Sequence, residues 1–443
     1  MNSKSLATSN SNPDQHEPAA ERPQPLLGKT AVAVVYSSYP TDPRPRRAAE
    51  ALAKEGTRVE VICLKESDDE PLRESLGGIE ITRIPMKRRR GGKISYLLQY
   101  GTFILSCGLI LAGRAWKRRY DLVHVHNMPD VLVFSALVPK LLGAKVILDL
   151  HDPMPELMMT IFGLQKQSRA VGLLEKLEKL SLGFADAVIT VNEACKKIFS
   201  ARSCPGQKIS VIMNSPDEGI FRYHEAGLDE SVASDGPKPF VMMYHGSIVE
   251  RHGLDLAVSA LRKVRQTVPN AELRIYGRST PFLQEVMNSV EQSGPSGAVS
   301  YLGPKNLEQI AEAIGECSIG VIPNRRSIFT ELNTPTRIFE YLSQGKPVIA
   351  PRADGILDYF GPEELLLFEL GEVDDLAAKM IYAATHPEEM YQLVKRGQGV
   401  YRAHQWSSER LRFVRTAESL LRSPKRFAFR VGAQPKPELG GRG

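Results

Sequence analysis

A stretch near residue 340 combines a predicted helix start with a carboxylate about a turn and a half further along. Thr334 is predicted to cap this helix, Pro335 suits its first position, and Gly345 with Pro347 ends it. The free N–H groups and partial positive charge of a helix start attract anions. The spacing indicates a nucleotide site, with phosphates at the helix start and ribose hydroxyls on Glu340. An ordinary amphipathic helix with a surface glutamate has the same spacing, so both interpretations stay open here.

The composition fits a folded protein of two or three domains. The chain has 443 residues, of which 42% are apolar and 24% charged. The net charge of +6 is too mild to indicate nucleic acid, and we expect no such partner. Five scattered cysteines without a C-x-x-C pair predict neither a disulfide framework nor a zinc site, and favour a reducing compartment.

Strand and helix patterns alternate twice along the chain. Continuous apolar runs such as 31–36 and 144–149 are typical of parallel strands that are buried on both faces. A polar linker is predicted at 215–239, after which the pattern restarts. The fold class is therefore α/β, with two Rossmann-like doubly wound parallel sheets, at residues 29–214 and 240–400. Ligands bind such sheets at the carboxyl ends of the strands, so we expect the substrates in a cleft between the domains.

Both ends of the chain differ in composition from these domains. Residues 1–28 are rich in Ser, Asn, Pro and Gln and lack the apolar region of a signal peptide, so we expect a disordered leader. Residues 401–422 are predicted to form a last helix, and 423–443 a disordered tail.

Several motifs, taken in order, resemble the retaining glycosyltransferases of family 4, also called group 1, which have the GT-B fold. The resemblance covers about residues 30–421, and Trp406 resembles the position where the family's chain crosses back to the first domain. The motifs that carry it are Tyr39–Arg47, His124–Asp130, Asp149–Glu156, Tyr244–Gly253 and Glu340–Pro347.

The resemblance implies roles for residues of both domains. His151 matches the histidine that contacts the transferred sugar near its anomeric carbon, although a core histidine at a strand end is the alternative. Glu340 matches the glutamate that holds the ribose. Gly246 matches the glycine that lets the donor phosphate approach the backbone. The residues matching the helix start that cradles the diphosphate are Thr334, Pro335, Thr336 and Arg337.

The chain departs from the family pattern at several positions. Leu332 stands where the family places a second glutamate, and Glu331, one residue earlier, is the candidate for that catalytic role. Ser247 and His252 stand where the family often has Arg and Lys against phosphate. Arg251 is adjacent and is predicted to substitute for them.

The acceptor side is predicted from the first domain. The family keeps a loop after the first strand that closes on donor and acceptor, and here it carries Arg44, Arg46 and Arg47. These arginines are predicted to bind phosphate of either substrate, the alternative being a solvated helix start. Asn127 is assigned to the same acceptor side. We expect no metal, since arginines and a helix start suffice for phosphate charge.

The segment 94–113 bears on where the protein acts. It is twenty residues without a charge, between basic clusters at 87–93 and 114–119. Strands on either side of it belong to one sheet, which argues against a single membrane crossing. We therefore interpret it as an amphipathic helix lying in an anionic membrane surface, with a buried helix of the first domain as the alternative.

The resulting prediction is a peripheral glycosyltransferase at the cytoplasmic face of the plasma membrane. Its donor substrate is a nucleoside diphosphate sugar, no cofactor is needed, and the acceptor is a lipid-linked or surface glycan. The family resemblance implies transfer with retention, with the leaving phosphate assisting deprotonation of the acceptor. A sugar-nucleotide epimerase of the same fold and a catalytically silent scaffold remain alternatives.

Overall fold

The computed structural model describes residues 26–86, 93–227, 239–293 and 297–423. Residues 1–25 of the predicted leader, 228–238 of the predicted linker, the basic run at 87–90 and nearly all of the tail lie outside the described residues. Two separate sheets are present in the described part of the chain, as the α/β prediction requires.

The first sheet has eight strands in the order β3-β4-β2-β1-β5-β6-β7-β8. All neighbours are parallel except β3 and β4, a pair that the sequence analysis did not predict. The central β1 is apolar and buried throughout its middle because helices cover both faces of the sheet. The strands are β1 (Thr30–Ser38), β2 (Arg58–Leu64), β3 (Arg73–Leu76), β4 (Ile79–Ile84), β5 (Leu122–His126), β6 (Lys145–Leu150), β7 (Ala187–Thr190) and β8 (Ile209–Val211).

Two places in the first half have short-range structural reasons of their own. The first helix begins at Pro43, since prolines at 43 and 45 suit a first turn. A 3₁₀ helix, Asp130–Ala136, follows β5 and leads into one short α-helix. The helices are α1 (Pro43–Lys54), α2 (Lys93–Lys117), α3 (Leu137–Leu141), α4 (Met154–Phe162), α5 (Arg169–Phe184) and α6 (Glu193–Arg202), with a second 3₁₀ turn at Gly206–Lys208.

The second sheet has six parallel strands in the order β11-β10-β9-β12-β13-β14. Its strands are β9 (Phe240–His245), β10 (Ala271–Tyr276), β11 (Val299–Tyr301), β12 (Ile319–Val321), β13 (Val348–Arg352) and β14 (Leu366–Glu369). Its helices are α7 (Leu254–Thr267), α8 (Pro281–Ser293), α9 (Leu307–Glu316), α10 (Ile328–Leu332), α11 (Thr336–Ser343), α12 (Asp354–Leu357), α13 (Val373–Thr385) and α14 (Pro387–Ala403). A 3₁₀ turn, Glu250–His252, precedes α7.

The last helix, α15 (Trp406–Arg422), packs on the first sheet. Phe413, Val414 and Ala417 are buried among residues of β1 and β2. The Phe413 ring stacks on His124 of β5, with 5.2 Å between ring centroids. The chain therefore leaves the second sheet and returns to the first.

The helix α2 is part of the first domain but leaves one face unpacked. Phe103, Cys107 and Leu111 are completely buried. On the other face, Leu105 and Leu109 are 65% and 67% exposed. No helix in the described ranges combines the length and apolarity that a membrane crossing requires.

Two glycines share a left-handed conformation but differ in their surroundings. Gly253, before α7, has φ +64° and ψ 32°, and Gly163, after α4, has φ +61° and ψ 30°. A Cβ on Gly253 would lie 1.9 Å from the carbonyl oxygen of Pro323, whereas nothing lies within 4 Å of one on Gly163. Gly253 therefore lets the turn before α7 contact the loop after β12.

Substituting each glycine by alanine separates backbone strain from this crowding. Gly163→Ala is expected to lower the free energy of unfolding by about 1–2 kcal/mol, the cost of a Cβ in this conformation. Gly253→Ala is expected to lose about 1–3 kcal/mol more, because the backbone of the neighbouring loop must move. Urea unfolding of both variants measures the difference, and equal losses would contradict the close packing at Gly253.

Candidate active site

Two histidines meet at the carboxyl edge of the first sheet. His126 ends β5 and His151 directly follows β6, so the parallel pairing of these strands places them side by side. His126 Nδ1 lies 3.1 Å from His151 Nε2. Burial lowers the pKa of His151 to about 4, with Asp149 opposing this effect and Arg44 reinforcing it. His151 is therefore a neutral imidazole near pH 7.

Asn127 fixes the backbone that carries His151. Its Oδ1 accepts a hydrogen bond from His151 N at 2.7 Å, and its Nδ2 donates to Asp152 O at 3.0 Å and to Asp130 Oδ1 at 2.9 Å. Burial raises the pKa of Asp130 to about 7, against the hydrogen bond from Asn127. The side-chain amide of Asn127 thus holds the backbone at His151, and its predicted place on the acceptor side stays a prediction.

The side chain of Asp149 is almost completely buried next to Arg44 and two histidines of β5. Arg44 donates to it from both Nε and Nη2, the shortest contact being 2.7 Å. His124 Nε2 and His126 Nδ1 each lie 3.4 Å from Oδ2. Burial alone would raise the pKa of Asp149, but Arg44 and the hydrogen bond from His124 hold it well below its ordinary value. The carboxylate is therefore ionised.

The donor atoms of His124, His126 and Asp149 lie within 4.8 Å of one another, the only metal-like cluster that the described ranges contain. The Arg44 guanidinium already contacts both oxygens of Asp149. A second cation there would meet this charge at close range, so the residues present do not fit a divalent metal.

The three arginines predicted to bind phosphate are already paired with protein groups. Besides Asp149, Arg44 donates to the carbonyl oxygen of Ile212 at 2.9 Å. Arg47 donates to the carbonyl oxygen of Ser215 and stacks over the Trp406 ring, 5.1 Å from its centroid. The structure brings Arg44 and Arg47, both buried, to the connection between the sheets rather than to a phosphate, because buried guanidinium groups need these acceptors.

Arg46 differs from the other two in being more exposed. It forms ion pairs with Glu50 at 3.2 Å and with Asp217 at 3.5 Å. Its environment matches the alternative of a solvated helix start.

The second sheet presents its own edge at the end of β9. Gly246 has φ +112°, a conformation that favours glycine, and the side chain of Arg337 packs 3.5 Å from where its Cβ would lie. Arg337 Nη1 donates to His245 O at 2.6 Å, and its guanidinium lies over the Tyr244 ring at 5.1 Å. The predicted glycine and a residue of the predicted helix start are thus in contact.

The helix begins one residue later than predicted. α11 begins at Thr336, with Pro335 as its N-cap residue and no side-chain cap. Thr334 is not the cap, because its hydroxyl donates to Gly355 O and accepts a bond from Asn192 Nδ2 across the interface of the two domains. The first N–H groups of α11, on Thr336 and Arg337, have no partner within the helix and remain suited to an anion.

Glu340 contacts a histidine that the sequence analysis did not single out. Its Oε2 lies 2.6 Å from Nε2 of His245, the last residue of β9. His245 Nδ1 in turn lies 2.8 Å from the hydroxyl of Tyr341. The sequence signal for His245 is its position directly before Gly246.

The turn after Gly246 is fixed by one carbonyl. Ser247 O accepts from the Tyr244 hydroxyl and from His252 Nδ1, both at 2.8 Å. Burial and the charge of Arg337 lower the pKa of His252 to about 3, so it does not supply the positive charge of the lysine it replaces. Ser247 itself is exposed at this edge.

Arg251 is the remaining cation of this turn, and it faces the first domain. Burial raises the pKa of Asp152 to about 6, and the charge of Arg251 opposes that rise. Burial lowers the pKa of Arg251, with Asp152 opposing it. Arg251 also lines a cavity together with Thr160 and Ile161 of the first domain. Its predicted role toward phosphate stays a prediction.

Glu331 is not brought to this group. It lies on α10 and pairs with Arg326 at 2.9 Å. Burial raises its pKa, and the other acids that act on it are Asp354 and Glu369. The structure supplies no contact between Glu331 and either His151 or Glu340, so a catalytic role for it gains no support.

Both halves of the chain match family models. The model described as glycosyl transferase 4-like domain matches residues 42–215, and that described as glycosyl transferases group 1 matches 229–400. A sulfoquinovosyl transferase from Arabidopsis thaliana is 21% identical over 271 residues, which are 59% of this chain and 49% of that protein. The chain thus spans about half the length of this curated relative.

Solved structures share the fold at low sequence identity. Sucrose-phosphate synthase from Thermosynechococcus elongatus matches with a TM-score of 0.72 and 18% identity, covering 88% of this chain and 99% of that one. HepE from Anabaena, in complex with UDP, matches with a TM-score of 0.64 and 14% identity, covering 88% and 100%. With two facing parallel-sheet domains and a family model on each, the chain belongs to the GT-B glycosyltransferases.

Proposed function

We propose that this protein transfers a sugar from a nucleoside diphosphate sugar to a hydroxyl of a membrane-associated acceptor, with retention at the anomeric carbon, as family 4 enzymes do. The observation that carries the proposal is the facing of two strand edges. One holds His151 and Asp152, and the other holds Arg251 and the start of α11. Asn192 of the first domain donates to Thr334 Oγ1, just before α11, at 3.0 Å. A donor in the cleft would contact both.

The second domain offers groups for each part of a nucleoside diphosphate. The N–H groups at the start of α11 and the nearby guanidinium groups of Arg337 and Arg251 suit the diphosphate. The carboxylate of Glu340 suits ribose hydroxyls as an acceptor. Structures of HepE in complex with UDP and with UDP-glucose support a nucleotide sugar as the donor class.

The first domain offers a neutral histidine at the transferred sugar. A neutral imidazole can hydrogen-bond to a sugar hydroxyl without repelling the positive charge that develops at the anomeric carbon. The leaving diphosphate is stabilised by Arg251, Arg337 and the helix start, and its oxygen can take the proton of the acceptor hydroxyl. His151 is therefore the residue we place nearest the reaction.

Two features favour a transferase over an epimerase and over a silent scaffold. They are the contacts that hold His151 at the strand edge and the exposed apolar surface of α2 and α3. Release of nucleoside diphosphate that requires an acceptor separates these functions. We expect UDP release from UDP-sugar to depend on added membranes from cells that produce the protein. An epimerase converts the sugar without them, and a scaffold releases nothing.

The variant His151→Ala tests the catalytic assignment. We expect kcat for acceptor-dependent release to fall by about 100-fold or more, with little change in donor KM, because the lost contact acts in the transition state. His386→Ala, at a helix junction of the second domain, is the matched control and should retain activity. Full turnover by His151→Ala would remove this residue from the mechanism.

We further propose that α2 and α3 dock on an anionic membrane at the cytoplasmic face. The two helices pack together. Their outer faces carry apolar side chains that are between 49% and 83% exposed. These are Leu98, Leu105, Leu109, Trp116, Leu137 and Leu141. A tryptophan that is 83% exposed beside Lys117 is typical of a membrane interface, where ring and cation can both be accommodated.

The structure refines the basic part of this surface. Arg114 and Arg118 both pair with the buried Glu60, at 3.2 and 2.6 Å. Lys117 and Arg119 are exposed and form no ion pair with the described residues, so they are better placed to meet lipid phosphates. The apolar face, rather than Arg118, is therefore the better target for a test.

Replacing two exposed leucines tests the membrane surface. Leu105→Gln with Leu109→Gln should weaken binding to anionic vesicles about tenfold or more, because each loses roughly 1 kcal/mol or more of apolar burial. Vesicle sedimentation measures this. The control is Leu302→Gln with Leu307→Gln. These two leucines lie in the second domain and are 44% and 45% exposed, so this variant should bind vesicles as wild type does. Unchanged vesicle binding by the Leu105→Gln, Leu109→Gln variant would contradict the membrane surface. Dimers that wild type forms and this variant does not form would point to a protein partner instead.

A further inference from the structure

The side chain of His245 is held at both ring nitrogens. Nδ1 lies 2.8 Å from the Tyr341 hydroxyl, and Nε2 lies 2.6 Å from Glu340 Oε2. The Tyr341 hydroxyl also lies 2.8 Å from the carbonyl oxygen of Met243. His245 and Tyr341 are buried, and the Glu340 side chain is 13% exposed.

The donors and acceptors of this chain have one consistent arrangement. A carbonyl oxygen can only accept, so the single proton of the Tyr341 hydroxyl is donated to Met243 O. His245 Nδ1 must then donate to the Tyr341 oxygen. The 2.6 Å contact between His245 Nε2 and Glu340 Oε2 is a short hydrogen bond that holds the carboxyl group of Glu340 in place.

This contact leaves one oxygen of Glu340 for a ligand. Among the described residues only Oε2 has a hydrogen-bond partner, and the partly exposed carboxylate can present Oε1 to the cleft. A carboxylate held at one oxygen cannot rotate freely, so less freedom is lost when hydroxyls bind the other. The histidine therefore acts on a ligand only through Glu340.

We propose that His245 is a positioning residue that fixes Glu340 to receive ribose hydroxyls, and that the pair makes the site select ribonucleotides over nucleotides without these hydroxyls. The proposal rests on the proposed donor site but adds a residue and a specificity to it. A role in folding alone would affect all nucleotides equally, whereas positioning acts only on those with ribose hydroxyls.

Calorimetry with paired ligands tests this selection. Wild type is first titrated with UDP, GDP, ADP and CDP, and the one bound best is compared with its 2′,3′-dideoxy counterpart. We expect His245→Phe to weaken the ribonucleotide about tenfold or more, and the dideoxy nucleotide by less than about twofold. In a double-mutant cycle, His245→Phe added to Glu340→Ala should cost no further affinity, since its effect passes through Glu340.

Two polar variants keep the test decisive if His245→Phe does not fold. His245→Gln can place an amide donor near Glu340 and should restore most ribonucleotide affinity. His245→Asn can reach only toward Tyr341 and should behave like the Phe variant. Equal losses for the ribo and dideoxy ligands, or additive losses in the cycle, would overturn the positioning role. Wild type that binds none of the four diphosphates would overturn the donor site itself.

Discussion

The buried carboxylate of Asp149 is the group on which the first half of the site depends. It is ionised in the interior because Arg44 reaches it from α1 and two histidines adjoin it from β5. Arg44 also contacts Ile212 O, after β8, and Phe413 of α15 stacks on His124. Removing either member of a buried ion pair typically costs about 3–5 kcal/mol. The buried charge of Asp149 therefore links three parts of the structure. These are the edge of the first sheet, the segment that leads to the second domain, and the helix that returns from it.

The second sheet uses the same kind of interaction for a different purpose. His245 ends its strand as His126 does, and it too adjoins a carboxylate. The difference lies in exposure: Asp149 is enclosed, whereas Glu340 keeps part of its side chain at the cleft. A carboxylate satisfied on all sides stabilises the fold, and one with a free oxygen remains available to a ligand.

The sequence predicted most of the strands, the two sheets and the local position of Glu340 because apolar runs and helix ends are local signals, but it missed β3 and β4. It did not predict pairings between distant residues, such as Arg44 with Asp149, which are 105 positions apart, or His245 with Glu340, 95 apart. Arginines after a first strand suggested phosphate binding, and only packing shows that two of them are already used. Thr334 does not cap the helix for the same reason, since its hydroxyl donates to Gly355 O, which is distant in the sequence.

We propose that the start of α11 and Glu340 together hold a nucleoside diphosphate opposite His151. A crystal structure with the best-bound diphosphate would show where each part of the nucleotide lies. We expect diphosphate oxygens within hydrogen-bond distance of the backbone N–H groups of Thr336 or Arg337, and a ribose hydroxyl on Glu340 Oε1. A nucleotide bound with its ribose away from Glu340, or outside the cleft, would contradict it.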